Sequence, residues 1–439
     1  MSATGPRTLL RDERTTAPAA AAPFHLAPPP SPAVVRRARR LETLLGDPSE
    51  RANPYGHHAL ALPAALRRLP ALSNIAESEL RPVGRGGYFE GADGLVAALR
   101  PLFRRDLALS HVAVTTALFA ADAEGSGGPL PGRTVELARL LGPAALCAAA
   151  GTALRAAVRA VAEGEPRTPG LSRWRASLAR SFADLSACES LTTVALRSLC
   201  LPPGTGRSLR AAAGCVVPAL AAEILDEAVL TLGESGQQPR SAALKWCAKT
   251  AAEVPYIREV AGSADCRAEL MRELPSSAGP AGGRVAELPA PECGSELAGG
   301  PADCEAELLR ALDAAAAGGA AGPEPGPAGA ARRLLAERRL LTGPGRTVVR
   351  AGAVAAERYA QLLTAGAVLA VHRGATTHGG SRYLASEAWA TLALSRAVQR
   401  LGLPTAGSPD TAQTDVEAEL DRRDRLGTDS DLYATRILW

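Results

Sequence analysis

The sequence predicts an all-α protein, and three observations carry that expectation. Aromatic residues make up 3% of the 439 residues, whereas a large β-sandwich or barrel draws heavily on Tyr, Phe, Trp, Val and Ile. The apolar content is mainly Ala and Leu, which favour close-packed helices. Apolar residues also recur at steps of three and four over long stretches, the spacing of a helix face.

Taken in order, residues 1–30 are Pro/Ala-rich without periodicity and read as a disordered arm. Order is expected from Ser31-Pro32, an N-cap followed by proline at the first helical position. Val34, Ala38, Leu41 and Leu45 share a face, Gly46 stops that helix, and Asp47 to Pro54 is a turn. A further helix opens at Asp93 and runs through Leu95, Leu99, Leu102 and Phe103; another spans about Leu107 to Ala121. Gly125-Ser126-Gly127-Gly128-Pro129 is a breaker cluster, so residues 31–130 form an N-terminal helical domain.

Residues 131–275 carry the strongest periodicity. Thr134 to Glu163 reads as one long Ala-rich helix. Pro169 and Gly170 open a second, whose stripe is Leu171, Trp174, Leu178, Phe182, Leu185, Thr192, Leu196 and Leu199. A third runs from Leu209 to Leu232. Long helices with short connections form a bundle. Residues 276–330 are Gly/Pro-rich loops with a helix, and 331–439 are a C-terminal helical extension. Its helices are expected at Ala330 to Leu341, Val348 to His372, Leu384 to Leu401 and Thr411 to Leu426.

The charge balance excludes several function classes. Formal net charge is +4, from 49 basic and 45 acidic residues spread along the chain, and Lys245 and Lys249 are the only lysines. No block of like charge suggests a nucleic-acid tail. Arg7, Arg11, Asp12, Glu13 and Arg14 interrupt any secretory h-region, and no uncharged apolar run is long enough to span a bilayer. The eight cysteines lack C-x-x-C spacing and fall mostly on apolar helical faces, as structural thiols of a reducing compartment do. A cytoplasmic protein without a metal site is expected.

Local motifs identify no chemistry. Gly84-Arg85-Gly86-Gly87 follows no apolar strand and precedes no Walker lysine, so it reads as a turn. His57-His58 are adjacent and do not converge on one metal. His111 reads as a core histidine; His372 and His378 flank a Gly-rich turn and read as surface residues. Glu189, Asp226 and Glu227 read as carboxylates that point outward or close a polar network.

The order of several fragments resembles the FAD-dependent acyl-CoA dehydrogenases, in a divergent actinobacterial branch. The fragments are Leu45-Gly46-Asp47-Pro48, Ala52-Asn53-Pro54 with Gly56, and Leu99-Arg100-Pro101-Leu102-Phe103-Arg104-Arg105-Asp106. Leu141-Gly142 through Ala153-Leu154-Arg155, Phe182-Ala183-Asp184-Leu185, Ala195-Leu196-Arg197-Ser198-Leu199, Val217-Pro218 and Asp226-Glu227-Ala228 continue it. Arg358-Tyr359-Ala360, Ala388-Trp389-Ala390 and Asp431-Leu432-Tyr433-Ala434-Thr435 resemble a C-terminal extension.

The resemblance implies an acyl-CoA dehydrogenase-like helical bundle with a truncated N-terminal helical part. The family's middle β-domain, on the order of a hundred residues, finds no room between Asp122 and Arg133. Arg167, in the turn after the first long helix, is the candidate cofactor-binding residue, for a phosphate of FAD. The matching catalytic loop, Pro275 to Gly283, holds no carboxylate. The implied role is a partner subunit of a full-length acyl-CoA dehydrogenase, with FAD held mainly by that partner. Such a chain, purified alone, is expected to be colourless. The helix Leu209 to Leu232 and the helices around Trp389 are the expected subunit contact. The alternatives are an active flavin-dependent thioester dehydrogenase and a flavin-independent helical scaffold.

Overall fold

A computed structural model describes residues 30–57, 62–80, 91–123, 133–163, 170–201, 204–235, 241–274, 304–318, 326–342, 352–378, 381–405 and 410–439. Among these residues there are fifteen α-helices and no β-strand; one isolated antiparallel bridge joins Thr428 to Arg436. The all-α expectation holds.

Helix α1, Pro32–Leu45, begins and ends where expected. The Ser31 hydroxyl accepts the Val34 N–H, and Gly46 leaves the helix at φ 69°, a left-handed value that suits glycine. The expected turn follows, folded onto the helix end by Asn53, whose amide donates to the carbonyls of Leu45 (2.8 Å) and Asp47 (2.6 Å). Helix α2, Leu62–Leu80, had no sequence expectation of its own within the expected N-terminal helical domain. Pro63 and Pro70 obscure its pattern. It stands because Leu72, Ala76 and Leu80 are buried and the helix packs on α4. Helices α3 (Ala92–Arg105) and α4 (Leu107–Ala123) match their expected positions.

Three long helices form the centre: α5 (Thr134–Glu163), α6 (Leu171–Arg197) and α7 (Arg207–Glu234). The α6 stripe from Trp174 through Leu178, Phe182 and Leu185 is buried, as its spacing requires. Helix α7 was the expected subunit contact, and the structure corrects this. It packs against α5, α6, α8, α9 and α12 and is therefore a core helix. Its run Ala211-Ala212-Ala213-Gly214 lets the neighbours approach closely. Trp389 is likewise fully buried, its indole N–H bonded to the Leu384 carbonyl. Helix α5 alone among the described residues is long and apolar enough to cross a membrane, yet 83% of that window is buried inside the molecule.

Helices α8 (Ala242–Val260) and α9 (Ser263–Glu273) had no sequence expectation of their own. Helix α10 (Cys304–Ala317) is the helix expected within 276–330, and α11 (Pro327–Thr342) follows. Helix α12 (Ala353–His378) continues past His372 through Gly374, so no turn separates His372 from His378. His372 is half-buried, edge-on to Trp389, rather than a surface residue. The helix expected from Leu384 to Leu401 is broken at Ser386, where the backbone is extended; α13 (Arg382–Ala385) and α14 (Glu387–Arg400) lie on either side. Helix α15 (Asp410–Arg425) and a short tail end the chain. One contiguous core runs through this assembly from Leu41 to Leu432.

A small residue sets the approach of α10 to α12. A Cβ on Gly366 of α12 would stand 2.8 Å from the Leu308 carbonyl oxygen and 2.9 Å from its Cβ, on α10. Backbone cannot yield as a flexible side chain does, so α10 and α12 would have to separate. Gly366→Ala should lower unfolding free energy by about 1–3 kcal/mol, as overpacking typically does. Urea denaturation checks this, and an unchanged midpoint would show that the two helices have room to spare.

Candidate functional site

The site is built against a buried network that ties the C-terminal tail to α3. The Arg100 Nε donates to Asp429 Oδ2 at 2.7 Å, and its Nη2 lies 2.7 Å from Glu189 Oε1. Arg104, one turn later on α3, reaches the same Asp429 oxygen at 3.2 Å and pairs with Glu42 of α1. Glu42 in turn accepts the Leu438 N–H at 3.0 Å. Arg423 donates to the carbonyls of Asp429 and Asp431, and its guanidinium lies 5.0 Å from the ring centroids of Phe182 and Tyr383. Asp431 accepts from both the N–H and the hydroxyl of Thr435, closing the tail's turn.

Burial alone would raise the Asp429 carboxyl, but the Arg100 and Arg104 guanidiniums override it and hold it well below the usual carboxylate range. Glu189 goes the other way. Burial pushes it up to about 7 against the pull of Arg100, with Asp431 and Asp429 adding to the rise. The sequence reading of Glu189 as part of a polar network is correct, and Asp226 is exposed.

The network forms one wall of a cleft of about 400 Å³. A stripe on α5 supplies a second wall: Thr152, Arg155, Ala156, Arg159, Ala160 and Glu163, at the three-and-four spacing of one helix face. Arg104 and Arg105 enter from α3, and the first residues of α8, Ser241 to Ala243, enter from the far side. Ile437 and Trp439 of the tail also line the cleft. Its floor is aromatic: Trp246 packs on His57 with ring centroids 5.0 Å apart and donates its indole N–H to the Arg105 carbonyl.

Four arginines thus meet at one cleft, and two of them are short of partners. Arg105 Nη2 donates to the Gly46 carbonyl, but its Nη1 is buried without a hydrogen-bond partner, as is Arg155 Nε. Burial pulls the Arg105 guanidinium down to about 10, with Arg104 adding to the fall and Glu42 and Asp47 opposing it. Burial also lowers Arg155, despite Asp429. Two of the three acids on the cleft wall are engaged: Glu42 with Arg104, and Asp47 with the Ser49 N–H (2.7 Å) and hydroxyl (2.6 Å); Glu163, at the end of α5, is exposed. The arrangement suits an oxyanion, with apolar walls for the rest of a ligand.

A second concavity, about 290 Å³, lies between Glu136, Arg139, Arg207, Arg210 and Glu269. There Arg210 is satisfied by Thr205 and Ser198.

Arg167, the one cofactor-binding residue expected from the sequence, lies outside the described residues, as do Gly84 to Gly87 and the Pro275 to Gly283 loop. His111 is buried, and burial pulls it down to about 4, leaving it neutral. Cys147, Cys188, Cys200, Cys215, Cys247 and Cys266 are free thiols, and burial pushes Cys215 and Cys247 up to about 12. Among the described residues no cluster of His, Cys, Asp or Glu could hold a metal. The cleft arginines were missed as a set because Arg104 and Arg155 sit about fifty positions apart; Arg104 and Arg105 fell in one resembling fragment and Arg155 in a separate one. Comparison with known protein families, curated proteins and solved structures finds no match to this chain.

Glu189 makes the network testable by pH. Its folded carboxyl sits at about 7 against an ordinary 4.5, so the folded state binds the extra proton. This group therefore makes stability fall as pH rises between those values, by about 1–3 kcal/mol. In Glu189→Gln that component vanishes, and unfolding free energies measured near pH 5 and pH 7.5 should differ less than in the parent. Equal pH dependence in the two proteins would show that Glu189 ionises normally.

Proposed function

We propose that the chain is an all-helical, acyl-CoA dehydrogenase-like subunit that pairs with a full-length FAD-dependent dehydrogenase of acyl-CoA or acyl-carrier thioesters in a biosynthetic pathway. Its role is to complete or stabilise the partner's flavin site. The observation that carries the reading is the short passage from α4, ending at Ala123, to α5, beginning at Thr134. No domain fits in that interval. Three fragments behind the family resemblance also support it, because they meet at one place. Leu99 to Asp106 supplies Arg100, Arg104 and Arg105; the α5 fragment supplies Arg155; and Asp431 to Thr435 closes the tail against them.

A cleft of about 400 Å³ is at the small end for ligand sites, which suits a contributing rather than a complete cofactor site. The Trp246 and His57 rings are packed on each other instead of framing a slot. In this reading FAD is held mainly by the partner. The free thiols suit a reducing cytoplasm. The second reading is a flavin-independent helical protein, and the arginine cleft favours it by standing complete within one chain.

Co-expression with a full-length acyl-CoA dehydrogenase from the same genome tests the pairing. The two chains should co-elute on sizing chromatography with an interface of standard size or larger, and the flavin should travel with the pair while the isolated chain is colourless. A well-behaved monomer that never co-purifies would overturn the reading. Stoichiometric flavin in the isolated chain would replace it with that of an active dehydrogenase.

A further inference from the structure

The cleft carries an inference that deepens the role of this chain and stands independently of any partner. We infer that it is a binding site for a phosphate or diphosphate group, held between Arg105, Arg155 and Arg159 and the N-terminus of α8.

Three features converge. The first is a helix N-terminus. Ser241 caps α8 by accepting the Leu244 N–H, and the 19-residue helix leaves the amides of Ala242 and Ala243 without intrahelical acceptors. Both residues line the cleft and are partly exposed to it. Such a terminus favours an anion through its free N–H groups and its dipole.

The second is arginine that the protein itself leaves incompletely bonded. Arg105 is 7% exposed, lines the cleft, and has a buried Nη1 with no partner. Arg155 lines the same wall with its Nε unpartnered. A buried guanidinium without its hydrogen bonds is costly, and its positive charge, left without a paired carboxylate beside the cleft, is one that an oxyanion there would offset. The contrast with Arg100 is direct. Its carboxylates Asp429 and Glu189 raise it well above the ordinary arginine value despite burial, whereas Arg105 and Arg155 are lowered. The anion that satisfies Arg100 comes from the chain; the one that would satisfy Arg105 and Arg155 does not.

The third is Arg159, one turn beyond Arg155 on the same face and half-exposed, with a 3.4 Å contact to Asp424. It stands where an incoming group would meet it first. Several guanidinium donors and helix amides together suit the many acceptor oxygens of a phosphate better than the two of a carboxylate. The apolar lining by Leu232, Ile437 and Trp439 gives the remainder of the ligand an apolar surface to rest on.

Calorimetric titration of the isolated full chain at fixed ionic strength tests this, with sodium pyrophosphate, phosphate, ADP and acetate as probes. Pyrophosphate should bind measurably, and more tightly than acetate. Arg155→Gln and Arg159→Gln should each weaken it by about tenfold or more, as loss of a charge-assisted hydrogen bond does. The exposed control Arg258→Gln should change it less than twofold. Circular dichroism confirms that each variant is folded, and Arg159, being half-exposed, keeps the test open should Arg155→Gln not fold. ADP binding more tightly than pyrophosphate would assign the group to a nucleoside diphosphate; equal affinities would assign it to a phosphate without a bound nucleoside. No binding, acetate binding as tightly as pyrophosphate, or a loss that Arg258→Gln reproduces would overturn the proposal. Because only the isolated chain is used, none of these results depends on whether it pairs with a dehydrogenase.

Discussion

The Arg100–Asp429 ion pair joins the two ends of this fold. It connects α3 to a tail that lies 329 residues further along the chain. Through Glu189 it also reaches α6, and through Arg104 and Glu42 it reaches α1. Burying charge is expensive, and a buried pair often adds little net stability over apolar packing. What such a network supplies is one arrangement: alongside the buried Leu432 and Ile437, the carboxylate of Asp429 fixes where the tail docks. Removing one member is a different matter, since it strands charges that the fold has already desolvated.

The cleft is a consequence of that arrangement. Arg104 is both a member of the network and a wall of the cleft, and the docked tail brings Ile437 and Trp439 to its rim. The Gly46 turn, pinned by Asn53, offers its carbonyl to Arg105 and so fixes the next guanidinium. Trp246 then holds the backbone of Arg105 from α8, which positions that helix's first turn across the cleft from α5. Positions of Arg104 and Arg105 are thus set by contacts within the chain, while Arg105 and Arg155 each keep a buried nitrogen without a hydrogen-bond partner.

Much of the fold was legible because Ala/Leu periodicity and caps are local signals. Ser31, Pro32 and Gly46 bounded α1, and the Trp174, Leu178, Phe182 and Leu185 stripe foretold a buried face. Helix α2 was not legible because Pro63 and Pro70 carry strong breaker signals that packing on α4 overrides. The break at Ser386 was also hidden, since the apolar spacing continues across it and only the extended backbone separates α13 from α14. Helix α7 misled in a different way. The resemblance implied a subunit contact there, whereas its small residues serve close approach within the chain. The cleft itself was illegible, because its charges come from α3 and α5 and its anion-seeking amides from α8, and no window of sequence contains all of them. The family fragments were visible as words without their meaning: Arg358 bonds Glu337 and the Leu401 carbonyl, and Asp184 holds Arg396 and Arg400 between α6 and α14.

The central claim is that the tail, α3 and the end of α1 form one cooperative unit through Asp429. Amide hydrogen exchange on the parent and on Asp429→Asn measures this most directly. Loss of the charge should release protection together in the tail from Gly427 to Ile437, in the last turn of α3 and at the end of α1, while α10 and α12 exchange as before. Faster exchange confined to the tail, with α3 and α1 unchanged, would contradict the account, because the network would then hold only the tail and not the wall of the cleft.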